Sequence, residues 1–266
     1  MQEFKMPYRE QNSNKGTFGK VLNVSGSKNY IGAAYLSSKS ALVSGCGFVA
    51  LATDRNVIDS VSKMLPEAVY INRKDALRTI KDYSVLLIGC GLGTDNSAKN
   101  DFMSFIKKAK DLPTVIDADG LNILSEINIE LPKKAIITPH PMEAARLLKV
   151  KIEDVLNNLE QSAKELSTKY NCVSVLKTHR TIVCQGENLY VNRHGNSALA
   201  KAGTGDVLAG IIAGLLAQNT EPFAAAKLGV YLHSRAGEIA SENLTEYSVL
   251  ASDVINYLPQ AIKEII

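Results

Sequence analysis

The stretch NSALAKAGTGDVLAGIIAGLLAQ, residues 196–218, decides the fold. It sets one carboxylate, Asp206, between a Gly-Thr-Gly turn and eleven residues without a polar side chain, Val207–Ala217. A helix apolar on every side belongs in a core. The run is far below the roughly 20 residues of a membrane span. Gly210 and Gly214 would let neighbouring backbone pack close. At the start of this helix the amides of Gly203, Thr204, Gly205 and Asp206 converge. Free N–H groups and the helix dipole both favour negative charge there, and the glycines let a phosphate approach the backbone. Asp206 is then placed to take a proton from a hydroxyl attacking phosphorus, with the amides stabilising the transferred charge. The plain alternative is that Asp206 only caps the helix.

Outward from this stretch, short apolar runs alternate with segments of helical spacing. The runs are 20–26, 47–53, 84–89, 113–118, 135–139, 172–177, 181–184 and 188–192. Helical spacing covers roughly 30–45, 54–64, 96–110, 142–149 and 152–170, and after residue 206 about 206–218, 221–243 and 249–264. Strand and helix in alternation predict a mostly parallel sheet with helices on both faces. The last three runs, separated by short polar gaps, predict an antiparallel meander at one edge. With no repeat, low-complexity tract or linker, residues 1–266 read as a single α/β domain.

Ligands of open α/β sheets sit beyond the carboxyl ends of the strands. The runs end there in Gly26-Ser27-Lys28-Asn29, Gly89-Cys90-Gly91-Leu92-Gly93, Asp117-Ala118-Asp119-Gly120-Leu121-Asn122, Pro139-His140-Pro141-Met142-Glu143 and Thr178-His179-Arg180. Singly, each has a structural reading: a glycine turn, a helix cap at Asp119, a loop histidine at His140. A P-loop is excluded, because GSKNYIGA has neither the spacing nor the lysine. GCGLG is one residue short of a dinucleotide fingerprint.

Composition narrows the partners. Lys plus Arg number 30 against 27 for Asp plus Glu, a balance too even to point to nucleic acid or membrane. Cys46, Cys90, Cys172 and Cys184 form no C-x-x-C pair, which excludes zinc-finger and thioredoxin-like spacing. They read as reduced thiols and a cytoplasmic protein. The polar N-terminus lacks the apolar region of a signal peptide.

GTGD opening an apolar helix near the C-terminus resembles the anion hole and base of the ribokinase-like superfamily. Lys15-Gly16-Thr17-Phe18-Gly19-Lys20, then Gly26 to Ala34, GCGLG, DADGLN, TPHPME and NSALAKAGTGDVLAG, in this order, resemble the ADP/ATP-dependent NAD(P)H-hydrate dehydratases. The likeness runs from about residue 15 to the end. Three positions depart from it: Cys90 stands where the family usually has proline, Thr178 follows Lys177 where glycine is common, and Ala202 replaces a frequent glycine.

The resemblance implies a ribokinase-like fold and a repair enzyme that dehydrates the 6-hydroxy forms of NADH and NADPH (NADHX and NADPHX). ADP, or ATP, is the implied phosphoryl donor, with Mg²⁺ on ligands that the sequence does not identify. It implies Asp206 as the catalytic base, with Ala34, Gly91, His140 and Asp206 at the hydrate. Lys177, Thr178, His179, Arg180, Thr181 and Gly205 fall at the nucleotide, and a homo-oligomer, a tetramer, is the implied assembly. Asn122 and Glu143 lie beside site turns and are candidates to support them. The competing readings are a small-alcohol kinase of the same fold, acting on a thiazole or a hydroxymethylpyrimidine, and a non-catalytic adenylate sensor.

Overall fold

The computed structural model describes residues 4–266. In chain order the elements are β1 (Lys20–Val24), α1 (Ile31–Val43), β2 (Phe48–Ala52), α2 (Arg55–Val61), β3 (Val69–Ile71), α3 (Arg73–Arg78), β4 (Val85–Ile88), α4 (Asn96–Lys108), β5 (Thr114–Ile116) and α5 (Asp119–Glu126). There follow β6 (Ala135–Ile137), α6 (Pro141–Leu148), α7 (Ile152–Asn157), α8 (Leu159–Tyr170), β7 (Val173–Leu176), β8 (Ile182–Gln185) and β9 (Asn188–Val191). Three helices close the chain: α9 (Thr204–Ala217), α10 (Pro222–Asn243) and α11 (Ala251–Lys263).

The strands form one nine-stranded sheet in the order β3-β2-β1-β4-β5-β6-β7-β8-β9. Pairing is parallel from β3 to β7 and antiparallel from β7 through β8 to β9, the expected edge meander. Strand order reverses between β1 and β4, which opens a crevice at their carboxyl ends. Alternate side chains of a strand face opposite sides. In β4, Val85 and Leu87 join the core beneath α9, α10 and α11, while Leu86 and Ile88 join the core beneath α4, α5, α6 and α8. All four are fully buried, which explains a strand that reads as continuously apolar.

α9 lies on the sheet and under α1, α10 and α11, so every residue from Val207 to Ala217 is buried. It reaches α1 through its glycines. A Cβ on Gly210 would stand 2.0 Å from Ser40 Oγ and 2.3 Å from the Ser37 carbonyl oxygen.

The structure adds elements that the pattern hid. β3 is three residues long and begins with an exposed Val69, so it carries no alternation. α3 and α5 are six and eight residues, too short for a clear helical period. The expected helix over 152–170 is two, divided at Asn158, whose φ of −139° leaves the helical range. α9 begins two residues before the expected 206. Its N-cap is Gly203 at φ 92°, so Asp206 is the third helical residue and not the cap. Asp119 likewise is the first residue of α5, not its cap.

Candidate active site

Four elements deliver titratable groups to one spot beyond the carboxyl ends of the central strands. The first turn of α9 brings Asp206, the turn after β4 brings Cys90, the end of β5 brings Asp117, and the end of β7 brings Lys177. One Cys90, one Asp117 and one Asp206 ligating atom lie within 4.8 Å of one another. Asp117 is 1% exposed and its Oδ1 accepts from Lys177 Nζ at 2.6 Å and from Thr138 Oγ1 at 2.7 Å. Its second oxygen faces the Cys90 thiol at 3.8 Å. Burial and the Asp117 charge push the Asp206 carboxyl up to about 7, against the opposing pull of Cys90 and Lys177. A carboxylate with that affinity is a competent base at neutral pH.

The backbone around it is set by special conformations. Ala118 takes φ 49°, a region non-glycine residues rarely adopt, and so turns Asp117 and Asp119 apart. Asp119 Oδ2 accepts from the Gly93 amide at 2.8 Å and ties this turn to the one carrying Cys90. At the N-terminus of α9 the Thr204 hydroxyl donates to the Leu199 and Lys201 carbonyls. The Thr204 amide reaches Lys201 O at 3.4 Å. Among the described residues the amides of Gly203, Gly205 and Asp206 have no acceptor. Of the four amides expected at this helix start, Thr204 alone is bound back to the chain, and two of the open donors, Gly205 and Asp206, lie beyond the Gly203 cap.

His140 caps α6. Its Nδ1 accepts from the Met142 and Glu143 amides, and Glu143 Oε2 accepts from the His140 amide at 2.8 Å. With Nδ1 accepting, the ring proton sits on Nε2, 3.4 Å from Glu143 Oε1. Both ring nitrogens are therefore engaged within α6, and burial with the Lys177 charge lowers the pKa of the ring. Glu143 is 5% exposed and pushed up to about 7 by burial, while Lys177, 4.0 Å away, opposes the shift. Burial acts to lower the Lys177 pKa, but Asp117 and Glu143 outweigh it and the ammonium is held charged.

A cleft of about 820 Å³ opens beside this cluster. His140, Lys177, the turn Thr178-His179-Arg180-Thr181, Thr204 and Gly205 line it, so the whole expected nucleotide segment faces one space. Asp206 and Gly91 lie outside that lining, toward the crevice between β1 and β4. Gly91 has φ 60°, and a Cβ there would stand 2.5 Å from Tyr30 Cβ. Ala34 has no accessible surface and packs beneath this crevice against Gly26, so it shapes the wall without offering contact area. Asn122 sits further out, accepting from Arg146 and donating to Asp119. Lys177 and Arg180, paired by the sequence as nucleotide ligands, part company: Lys177 turns inward to Asp117 and Arg180 stays on the exposed turn.

Sequence reasoning missed Asp117, which it quoted in DADGLN without assigning work, and the far wall of the cleft. Arg193, His194, Asn196, Lys201 and His233 line that wall. The signal available for most of them was the polar, irregular segment between β9 and α9. His233 gave none, because it lies within the largely apolar α10.

Cys90, Asp117 and Asp206 are, among the described residues, the one group of metal-ligating types so close together. They do not suit Mg²⁺, which demands oxygen ligands in octahedral order. One donor is a thiol, and Lys177 already neutralises Asp117.

A family model described as NAD(P)H-hydrate dehydratase matches residues 21–260. The chain is 37% identical over 242 residues to the ADP-dependent (S)-NAD(P)H-hydrate dehydratase of Neisseria meningitidis, covering 88% of this chain and 81% of that one. It is 34% identical to the bifunctional NAD(P)H-hydrate repair enzyme Nnr of Moorella thermoacetica over 98% of its length, and spans about half, 52%, of that longer relative. The crystal structure of the ADP/ATP-dependent NAD(P)H-hydrate dehydratase of Bacillus subtilis, co-crystallised with ATP/Mg²⁺, superposes with a TM-score of 0.89 at 31% identity, covering 98% of this chain and 95% of that one.

Proposed function

The chain belongs to the NAD(P)H-hydrate dehydratase family, and from that premise we propose that it repairs hydrated NADH and NADPH by a nucleotide-dependent dehydration. The observation that carries the reading is Asp206, a carboxyl raised to about 7 in the same helical turn as two open amides. Asp206 takes the proton of the ring hydroxyl as the oxygen attacks the terminal phosphorus. The bond from that phosphorus to the nucleotide breaks, turning ADP into AMP. The ring C–O bond then breaks with phosphate as leaving group, and the neighbouring carbon gives up a proton to form the ring double bond. The amides of Gly205 and Asp206 stabilise charge on the phosphoryl group in flight.

ADP is the proposed donor, with ATP the alternative, and the nucleotide occupies the cleft lined by Lys177, Thr178, His179, Arg180, Thr181 and Gly205. The hydrate occupies the crevice beside Gly91 and Asp206. His140, on the wall of the nucleotide cleft, holds α6 in place through its cap, Ala34 backs the crevice wall, and Asn122 and Glu143 support the turns. Mg²⁺ arrives on the phosphate oxygens of the nucleotide. Residues 1–266 act as one domain, in the cytoplasm, as a homo-oligomer of four, and light scattering on the purified protein tests the last point.

The deciding experiment offers NADH hydrate with ADP or ATP and follows absorbance at the NADH band together with phosphate release. Recovery of the band with one phosphate per NADH supports the reading. Phosphorylated substrate without NADH would indicate a small-alcohol kinase, and nucleotide binding without turnover an adenylate sensor.

A further inference from the structure

Cys90 occupies the turn between β4 and α4, is fully buried, and lies with Asp117 and Asp206 in a group whose ligating atoms fall within 4.8 Å of one another. The two carboxylates beside it differ in what they lack. Asp117 takes a lysine ammonium and a threonine hydroxyl on one oxygen at 2.6 and 2.7 Å, and its other oxygen accepts only a long, weak bond from the thiol at 3.8 Å. An Asp206 carboxylate oxygen lies within 4.8 Å of the Cys90 sulfur, and among the described residues no other side-chain donor is set against Asp206. The thiol is held there by backbone, since the Cys90 carbonyl accepts from the Gly26 amide at 2.8 Å across the β1–β4 crevice.

We propose that Cys90 is a positioning residue for the proton-accepting step: its S–H donates to the Asp206 carboxylate and holds the ionised base in place. The proposal rests on Asp206 being the base. The chemistry of the thiol suits it. Burial and the two carboxylates hold its pKa well above that of a free thiol, so it stays an S–H donor throughout the working range. Donation to the charged form favours that form. Other groups bear on Asp206 from every side. Asp117 and Asp119 from the β5–α5 turn raise its pKa, and Lys177 from β7 lowers it. Glu143 and His140 of α6 act through Lys177. On the far side, the neutral His233 of α10 faces Thr204, and Asp253 of α11 is turned back on the Leu250 amide.

The test measures kcat/KM against pH for the parent, Cys90→Ala and Cys90→Ser, with the S–H stretching band of the parent followed over the same pH range. Cys90→Ala should move the acid limb upward by about 0.5–1 pH unit, the worth of one weak hydrogen bond. Cys90→Ser, which restores a donor, should bring the limb back. The S–H band, identified by its loss in Cys90→Ala, should shift with the same midpoint as the acid limb, and this shift should be absent in Asp206→Asn. An unmoved limb in folded Cys90→Ala, or a band indifferent to pH, would overturn the proposal. Parental turnover in Asp206→Asn would overturn the base assignment instead. That result is distinguishable, because failure of the thiol alone leaves Asp206→Asn inactive.

Discussion

An acid half-buried with a pKa near 7 weighs against its own fold when ionised. Asp206 has an ordinary value of 3.8 and a folded value of about 7. Below 3.8 it is protonated folded or unfolded. As pH rises toward 7 the unfolded chain gives up this proton first, so stability falls through that window. Asp206→Asn should therefore be more stable than the parent at pH 8, by about 1–3 kcal/mol, and nearly equal to it at pH 4. Its kcat should fall roughly 10²–10⁴-fold. Paired melting curves and turnover check both, and a loss of stability at pH 8 would contradict the assigned burial. Lys177→Met should behave oppositely. It strands Asp117, 1% exposed, without its ammonium, and should cost about 3–5 kcal/mol by denaturant titration. The sequence displayed Asp206 because glycines frame it. It did not display the Asp117–Lys177 pair, since the partners lie 60 residues apart and meet only through the order of β5, β6 and β7.

Among elements, the α1–α9 contact and the turn between β7 and β8 make contrasting demands. Gly210→Ala would gain helix propensity, worth under about 1 kcal/mol. The new Cβ would meet the Ser37 carbonyl oxygen at 2.3 Å, and backbone there cannot yield cheaply. Overpacking wins, so Gly210→Ala should lower stability by about 1–3 kcal/mol. It should also lower kcat, because the displaced helix carries the site at its first turn. Arg180, exposed on its turn, meets a nucleotide's charge equally in ground and transition states. Arg180→Ala should raise the nucleotide KM with kcat held within about twofold, and a hundredfold fall in kcat at constant KM would exclude this role. Long elements with a clear period were legible in the sequence. β3, α3 and α5 were not, because three to eight residues hold too few repeats of either period. The break at Asn158 escaped because it interrupts backbone geometry without interrupting composition.

At the scale of the whole molecule, the parallel sheet and its antiparallel edge followed from the spacing of the runs, whereas strand order did not, since only tertiary packing reverses it between β1 and β4. A nucleotide in the cleft bridges α9, α10 and the β7–β8 turn, so binding should stabilise the whole chain. At 100 times Kd the gain is about 2.7 kcal/mol. Melting temperature against ADP and ATP concentration would then rank the two donors, and no rise with either would remove the cleft as their site. Phe4 stacks on Tyr231 at 4.1 Å, and the face of α1 that carries Ser37, Ser40, Ala41 and Ser44 is met by Gly210 and Gly214 of α9. A nascent chain emerging from the ribosome therefore shows α1 and the first strands to solvent long before the residues that cover them are synthesised. Until α9 and α10 follow, the early segment is an unfinished surface open to chaperones, and it is covered only when the last quarter of these residues has been made.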